Sequence, residues 1–445
     1  MKFLSARRAL SAGIVAAASV AAFVAPSAAS AALPGHCKGT STEGAGSSFQ
    51  LEAQELWRKG FNENKSAGCV GGPTITYRSI GSGAGYKEWS VEHHYGTVGF
   101  VGTDNTVNPA EKELVEGQVE AGKSSKLLTV PVLQGAVAIV VNLPENCTAN
   151  SKVAAGRLGI NQATLEGIYN GSVTNWGQIV AAEGTGNELT GAGCTPATDA
   201  ITPVVRKDGS GTTHIFKKFL FLTNGGNLAS EDGKEHTWGE LGEGSLSTTW
   251  PTAAKVLKPA ETTNAGLLKA VAATPGSIGY ADLAQARNPA NGGFTGQSAS
   301  RFWVVVESER KEKESSKGLK VTRKYKDPSS NGDTAATAES NCKKTEFSNG
   351  KGAFPPPSVT ANWNEVSSKQ FSKTYPLCGL TYNLVLTNYE AYAGGTANEA
   401  QTVKDYLAFE SSSKAGGKEI KGHDYSALPK TLLAKAEEGV SLIEG

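Results

Sequence analysis

The sequence predicts an α/β protein with mostly parallel sheets flanked by helices, arranged as two domains around a ligand cleft. Three observations predict it. From Thr42 onward, β-rich stretches alternate with Gly/Ser turns and helical patterns, the rhythm of strand–helix–strand units. Three of those turns, at 44–49, 81–85 and 208–213, share one design: each follows a strand pattern and opens a helix pattern. The apolar run 130–141 is too long for one ordinary strand, which suits a crossing from one domain into the other.

The elements follow in order. Residues 1–31 read as a signal peptide: Lys2, Arg7 and Arg8 are its positive start, 9–25 its apolar core and Ala29-Ser30-Ala31 its cleavage site. No stop-transfer pattern follows, so an exported, soluble mature chain is expected to start near Ala32. Residues 48–62 set Phe49, Leu56, Trp57 and Phe61 near helical spacing, with Ser47 or Ser48 as N-cap. Residues 74–79 form a strand ending at Gly81-Ser82-Gly83, and a short helix follows through Tyr86 and Trp89. A further strand, 97–103, ends in Asp104. Strand 201–205 leads to a helix over 213–222 with Ile215, Phe216, Phe219 and Leu220 on one face. A short strand at 277–280 carries the chain back.

Domain 1 is thus expected to comprise 32–132 and 283–445, and domain 2 133–282, with hinge crossings at 130–137 and 280–286. Residues 307–357 combine a charge run, a Ser/Asn/Thr/Lys-rich tract and Phe354-Pro-Pro-Pro357. They read as a solvated loop or hairpin inserted in domain 1. A strand at 382–387 and helices at 399–410 and 429–443 close the chain. Trp57, Trp89 and Trp176 belong to the core, and Trp303 to a strand.

Composition excludes some functions. A formal net charge of +1 and a charged fraction of 19% argue against a nucleic-acid or other polyanion binder. The six cysteines fit an oxidising compartment, with no C-x-x-C and none near a histidine cluster at zinc spacing. Sequence does not choose rigorously among pairings. The sequential order Cys37–Cys69, Cys147–Cys194 and Cys342–Cys378 is the expected one, with partners in loops beside neighbouring strands. No metal or cofactor is expected. His93-His94 read as a surface pair, His214 as a bystander near the third turn, and the chain as a monomer.

The three turns carry the chemistry. Glycines let backbone approach a ligand closely, and hydroxyl residues cap a helix while donating outward. A helix start leaves N–H groups unpaired and carries roughly half a positive charge, so small oxyanions bind there. Ligands of open α/β sheets sit at the carboxyl ends of strands, where these turns lie. Arg206 adds a planar fork of donors suited to a phosphate-like group. The turns lack the lysine of a nucleotide P-loop, and Ser210 lacks the G-x-S-x-G frame of a nucleophile elbow. Asp104 discriminates. A carboxylate only accepts hydrogen bonds, so it suits an anion that still carries a proton, as phosphate does and sulfate does not. Such a bond can separate the two by roughly 10⁴–10⁵-fold.

These motifs, with Val98-Gly-Phe-Val-Gly-Thr-Asp104, Ile168-Tyr-Asn-Gly171, Asn175-Trp176 and Pro275-Gly-Ser-Ile-Gly-Tyr280, resemble the phosphate-binding proteins of ABC-type phosphate importers. That family has the two-domain type II periplasmic-binding-protein fold. The resemblance implies phosphate contacts from Ser48, Ser82, Ser210, Gly211 and Thr212, from the Phe49 backbone N–H, and from Arg206, itself paired to Asp104. It makes Asp104 the acceptor of the ligand's proton, Asp208 a turn-former, and a membrane permease the partner. The chain departs from the family at Gln50, where proline is usual after Phe49, at Gly99-Phe-Val, and in the tract after Glu307. A non-enzymatic receptor is expected. The competing readings are a secreted phosphatase, for which Ser210 or Ser82 lacks an evident base, and a scavenger independent of any transporter.

Overall fold

The computed structural model describes residues 36–63, 67–151, 154–183, 189–194, 200–224, 227–229, 235–237, 248–251, 258–259, 262–297, 299–315, 318–330, 338–350, 352–369 and 372–444. The expected signal peptide lies outside these residues.

Strand Thr42–Gly46 pairs in parallel with Ile75–Ser79 on one side and Val98–Thr103 on the other. Helices Leu51–Glu63 and Ser82–Ser90 fill the crossovers that parallel neighbours require. A second parallel set has Thr202–Val205 between Lys258–Pro259 and Ser277–Asp282, with helices Gly211–Asn224 and Thr263–Ala272 in its connections.

The long apolar run is one strand, Leu127–Asn142, whose 16 residues are all buried. Burial on both faces explains why it reads as continuous apolar sequence and not as an alternation. It changes partners part-way: 127–136 pair with Cys378–Leu386, and 137–142 with Ser277–Asp282, both antiparallel. Cys378–Leu386 also runs antiparallel to Val98–Thr103. The two parallel sets therefore join into one ten-stranded sheet. The expectation of mostly parallel sheets is corrected: within this sheet, parallel pairing is confined to the two flanks. The long strand carries the chain from one set to the other, and the strands beside it run back.

The tract after Glu307 is more ordered than a solvated loop. Val305–Ser315 and Gly318–Lys326 form an antiparallel hairpin, anchored where Val305 and Val306 run parallel to Gly159 and Ile160. Beyond it, Trp363 of the 3-10 turn Thr360–Glu365 and Val366 just after that turn pack on Leu380, Tyr382 and Leu432 as a small second apolar cluster. Trp57, Trp89 and Trp176 are fully buried in the main core, as expected; Trp303, expected in a strand, ends strand Arg301–Trp303 and is buried in the same core.

The three disulfides are those expected, Cys37–Cys69, Cys147–Cys194 and Cys342–Cys378. Their Cα separations of 5.2, 5.2 and 5.6 Å suit the bond. They do not all join loops, since Cys378 opens a strand and Cys194 ends the short 3-10 turn Ala192–Cys194. His93 and His94 are exposed. Among the described residues, no helix is long and apolar enough to cross a membrane.

Candidate anion-binding site

The three turns meet. Gly81 has φ 93°, a region open to glycine, and a Cβ there would lie 2.5 Å from Asp208 Oδ2. The Gly83 N–H donates to the Gly209 carbonyl at 3.1 Å, which locks the second turn onto the third. Gly211 packs so closely on Asp104 that a Cβ would lie 2.6 Å from the Asp104 Cβ. The Ser47 hydroxyl, in the first turn, donates to Asp104 Oδ1 at 2.5 Å. Ser48, Ser82, Asp104, Arg206, Ser210, Gly211 and Thr212 are all buried.

Bond directions show what these groups offer. Ser48 Oγ accepts from Arg206 Nη1 at 3.3 Å and from the Asn264 N–H at 3.0 Å. Ser82 Oγ accepts from the Asp104 and Gly211 N–H groups at 3.4 and 3.3 Å. A hydroxyl has two lone pairs and one proton, so both serines have only the proton left to give. Ser210 Oγ caps its helix by accepting from the Thr213 N–H at 3.1 Å. Two backbone groups assigned by resemblance are already engaged: the Phe49 N–H by Ser47 Oγ at 3.0 Å, and the Gly211 N–H by Ser82.

The partner of Arg206 corrects the sequence reading. Its Nε and Nη2 bind both oxygens of Asp208, at 2.7 and 2.5 Å, so Asp208 is more than a turn-former. Asp104 makes no ion pair with Arg206; its carboxylate takes hydroxyls instead. Oδ1 also accepts from Thr381 at 2.8 Å, and Oδ2 from Thr212 at 3.4 Å. Arg206 Nη1 further donates to Asn264 Oδ1 at 2.9 Å, and the Arg206 N–H to the Tyr280 hydroxyl at 3.3 Å. The guanidinium plane is thereby fixed from several sides.

Burial raises the Asp104 carboxyl from 3.8 to about 6, opposed by the Ser47 and Thr381 hydrogen bonds, the nearby Arg206 charge and Thr212. Above pH 6 the group is mainly an ionised acceptor. His214 is also buried. Desolvation first, then Lys218 and Lys217, hold it well below the usual histidine range and hence neutral.

Sequence reasoning missed Asp208, Asn264, Tyr280 and Thr381 as members of this network, and treated Ser47 only as a cap. Asp208 sits two residues from Arg206, a spacing that could have suggested the pair. Asn264 lies in the first turn of the helix Thr263–Ala272, a fourth helix start reaching the site, signalled by Thr262-Thr263-Asn264. Nothing in the local sequence marks Thr381, which arrives through strand pairing. A metal is poorly served: among the described residues the candidate cluster is His36, Cys37, Cys69 and Asp405, and its sulfurs form a disulfide.

A family model described as a PBP superfamily domain matches residues 27–349. The phosphate-binding protein PstS 3 of Mycobacterium leprae is 28% identical over 246 residues, 55% of this chain and 54% of that protein. The phosphate-binding protein PstS of Xylella fastidiosa is 28% identical over 273 residues, 61% of each. The chain thus spans little more than half the length of these curated relatives. A solved phosphate-binding protein from Stenotrophomonas maltophilia shares the fold, with a TM-score of 0.56 at 19% identity over 89% of this chain and 92% of that one.

Proposed function

Because the chain belongs to the PBP superfamily, we propose that it is an exported solute-binding protein that captures inorganic phosphate, as hydrogen phosphate, for an ABC-type importer. One observation carries the reading. A buried carboxylate, Asp104, stands as acceptor among hydroxyl and N–H donors, beside one buried guanidinium. A donor-only cradle would take any small oxyanion, whereas an acceptor within it favours one that brings a proton. The names of the relatives from Mycobacterium and Xylella point the same way.

In this reading the Ser48, Ser82 and Ser210 hydroxyls and Thr212 donate to phosphate oxygens. The Phe49 and Gly211 N–H groups join when Ser47 and Ser82 yield them, Arg206 supplies the charge, and Asp104 receives the ligand's proton. Asp208 and Asn264 hold Arg206 in plane. Lobes at 32–132 with 283–445, and at 133–282, close about the long strand Leu127–Asn142. Calorimetry on purified protein tests the proposal. Phosphate binds and sulfate does not, and Asp104→Ala and Arg206→Ala each abolish phosphate binding. Comparable sulfate binding sinks it. A phosphomonoesterase assay with and without divalent metal is expected to show no turnover.

A further inference from the structure

The two oxygens of Asp104 have different surroundings. Oδ1 accepts from the Ser47 hydroxyl at 2.5 Å and from the Thr381 hydroxyl at 2.8 Å, which fills both of its lone pairs. Among the described residues, Oδ2 accepts from Thr212 alone, at 3.4 Å. Oδ2 is therefore the oxygen with room for a ligand's proton.

Thr381 has one proton and two acceptors in reach, Asp104 Oδ1 and the Thr103 carbonyl at 3.1 Å. Its own oxygen accepts from Gln50 Nε2 at 2.5 Å. That N–H turns the hydroxyl proton outward and polarises it toward the carboxylate, the stronger acceptor. The Gln50 amide cannot be reversed. Nε2 also donates to the Tyr382 carbonyl at 2.8 Å, and Oε1 accepts from Gln54 Nε2 at 2.9 Å. Gln54 is held in turn by Glu410 Oε1 at 3.0 Å and by the Tyr406 hydroxyl at 2.7 Å. All five side chains are buried. A Cβ at Gly102 would lie 3.0 Å from Gln50 Oε1, so that glycine leaves room for the amide. The Phe49 N–H orients Ser47 in the same way, at 3.0 Å. On the phosphate reading above that N–H turns to the ligand, whereas Gln50 touches no ligand and keeps its bond to Thr381.

We propose that Gln50 is a positioning residue for anion recognition: through Thr381 it keeps Asp104 Oδ1 saturated and so leaves Oδ2 to receive the ligand's proton. The identity of that ligand rests on the phosphate reading; the bonds that orient Asp104 do not. Arg206, held by Asp208, is the charge beside Asp104, and burial lifts the nearby Tyr77 and Tyr382 phenols far above neutral pH. His214, kept neutral by burial, and Lys218, lowered by burial to about 8, line a small cavity with Asp104. Glu410, raised by burial to about 8, titrates at the far end of the chain of amides.

¹³C NMR of the full protein labelled at its aspartate carboxyls, with the Asp104 signal assigned by its loss in Asp104→Asn, reads this ionisation without any ligand. Gln50→Met keeps the volume and removes the donor, and the Asp104 midpoint is expected to rise by about one pH unit. Gln50→Asn, one carbon too short to reach Thr381, carries the same expectation should Gln50→Met not fold. Phosphate calorimetry from about pH 6 to 8.5 gives a second readout. The variant should bind more weakly than wild type, and its deficit should grow as pH falls, because its carboxyl takes up a proton first. Adding Thr381→Val should leave Gln50→Met without further effect on either readout, whereas a role in packing alone would add to it. An unchanged midpoint, a deficit independent of pH, or additive effects would overturn the proposal. A raised midpoint in a protein that binds no phosphate would leave the role of Gln50 standing and remove the phosphate reading; phosphate binding with an unchanged midpoint would do the opposite.

Discussion

Replacing Asp104 with Asn separates what the site does for function from what it does to stability. The carboxyl moves from 3.8 to about 6 on folding because burial strips water from its charge. A rise of that size corresponds to roughly 3 kcal/mol against the folded state when the group is ionised in both states. The sign follows from proton binding. Between pH 3.8 and about 6 the folded chain holds a proton that the unfolded chain has released, so stability falls as pH rises through this window. Above pH 6 the penalty is complete, and below 3.8 it is gone. Asparagine keeps an oxygen for the Ser47 and Thr381 hydroxyls and loses only the acceptor facing Thr212. In urea unfolding without phosphate at pH 7.5, Asp104→Asn should therefore be more stable than wild type, by about 1–3 kcal/mol. At pH 4.5 the gap should shrink by roughly 2 kcal/mol as the wild-type carboxyl regains its proton. Phosphate binding should be lost at both pH values. A variant less stable than wild type at pH 7.5, or a pH-independent gap, would refute the account of a carboxylate held against its own desolvation.

Arg206→Lys retains the charge but not the planar fork that grips both Asp208 oxygens; phosphate affinity by calorimetry should fall by about tenfold or more. Glu410, bonded to Gln54 and Asn383, is raised by burial to about 8 yet lies outside the cradle. Glu410→Gln should stabilise the protein in urea at pH 7.5 with phosphate affinity unchanged, and the gain should vanish near pH 4.5, because the unpaired Asn383 oxygen can turn to accept from the new amide. Cys342→Ser with Cys378→Ser removes a bridge spanning 36 residues, and thermal or urea unfolding should show a loss of about 2–4 kcal/mol.

Sequence revealed those parts of the site whose chemistry is local. A helix start needs its own glycines and hydroxyls, so 44–49, 81–85 and 208–213 announced themselves, and Asp104 stood out as an acid at a strand end. The same locality found the helices near Tyr86, Phe216 and Tyr406 to within a few residues. Partnerships set by topology were not legible. Thr381 reaches Asp104 because Cys378–Leu386 lies beside Val98–Thr103, in a register no local pattern encodes. The antiparallel middle of the sheet was hidden for a related reason: a strand buried on both faces shows no alternation and does not betray the direction of its neighbours. The segment after Glu307 looked polar because its hairpin is charged, yet Trp363 and Val366 beyond it close over Leu380 and Tyr382.

The site's charge poses a last question that its hydrogen bonds answer. Arg206 is neutralised by Asp208 at contact distance, and ionised Asp104 adds a further negative charge. The groups in direct contact therefore sum to a negative charge where an anion is to bind. Attraction must come from fixed N–H and O–H dipoles: the helix starts at Ser82, Gly211 and Thr263, and the protons that Ser48 and Ser82 have left to donate. Dipolar fields of this kind are short in range and buried from counter-ions, whereas attraction by surface charge decays over a Debye length of about 10 Å at 0.1 M salt and weakens as salt rises. Phosphate affinity measured by calorimetry from about 20 to 500 mM sodium chloride should thus change by no more than roughly threefold. A steep decline across that range would mean that long-range charge, and not the oriented donors of the cradle, holds the ligand.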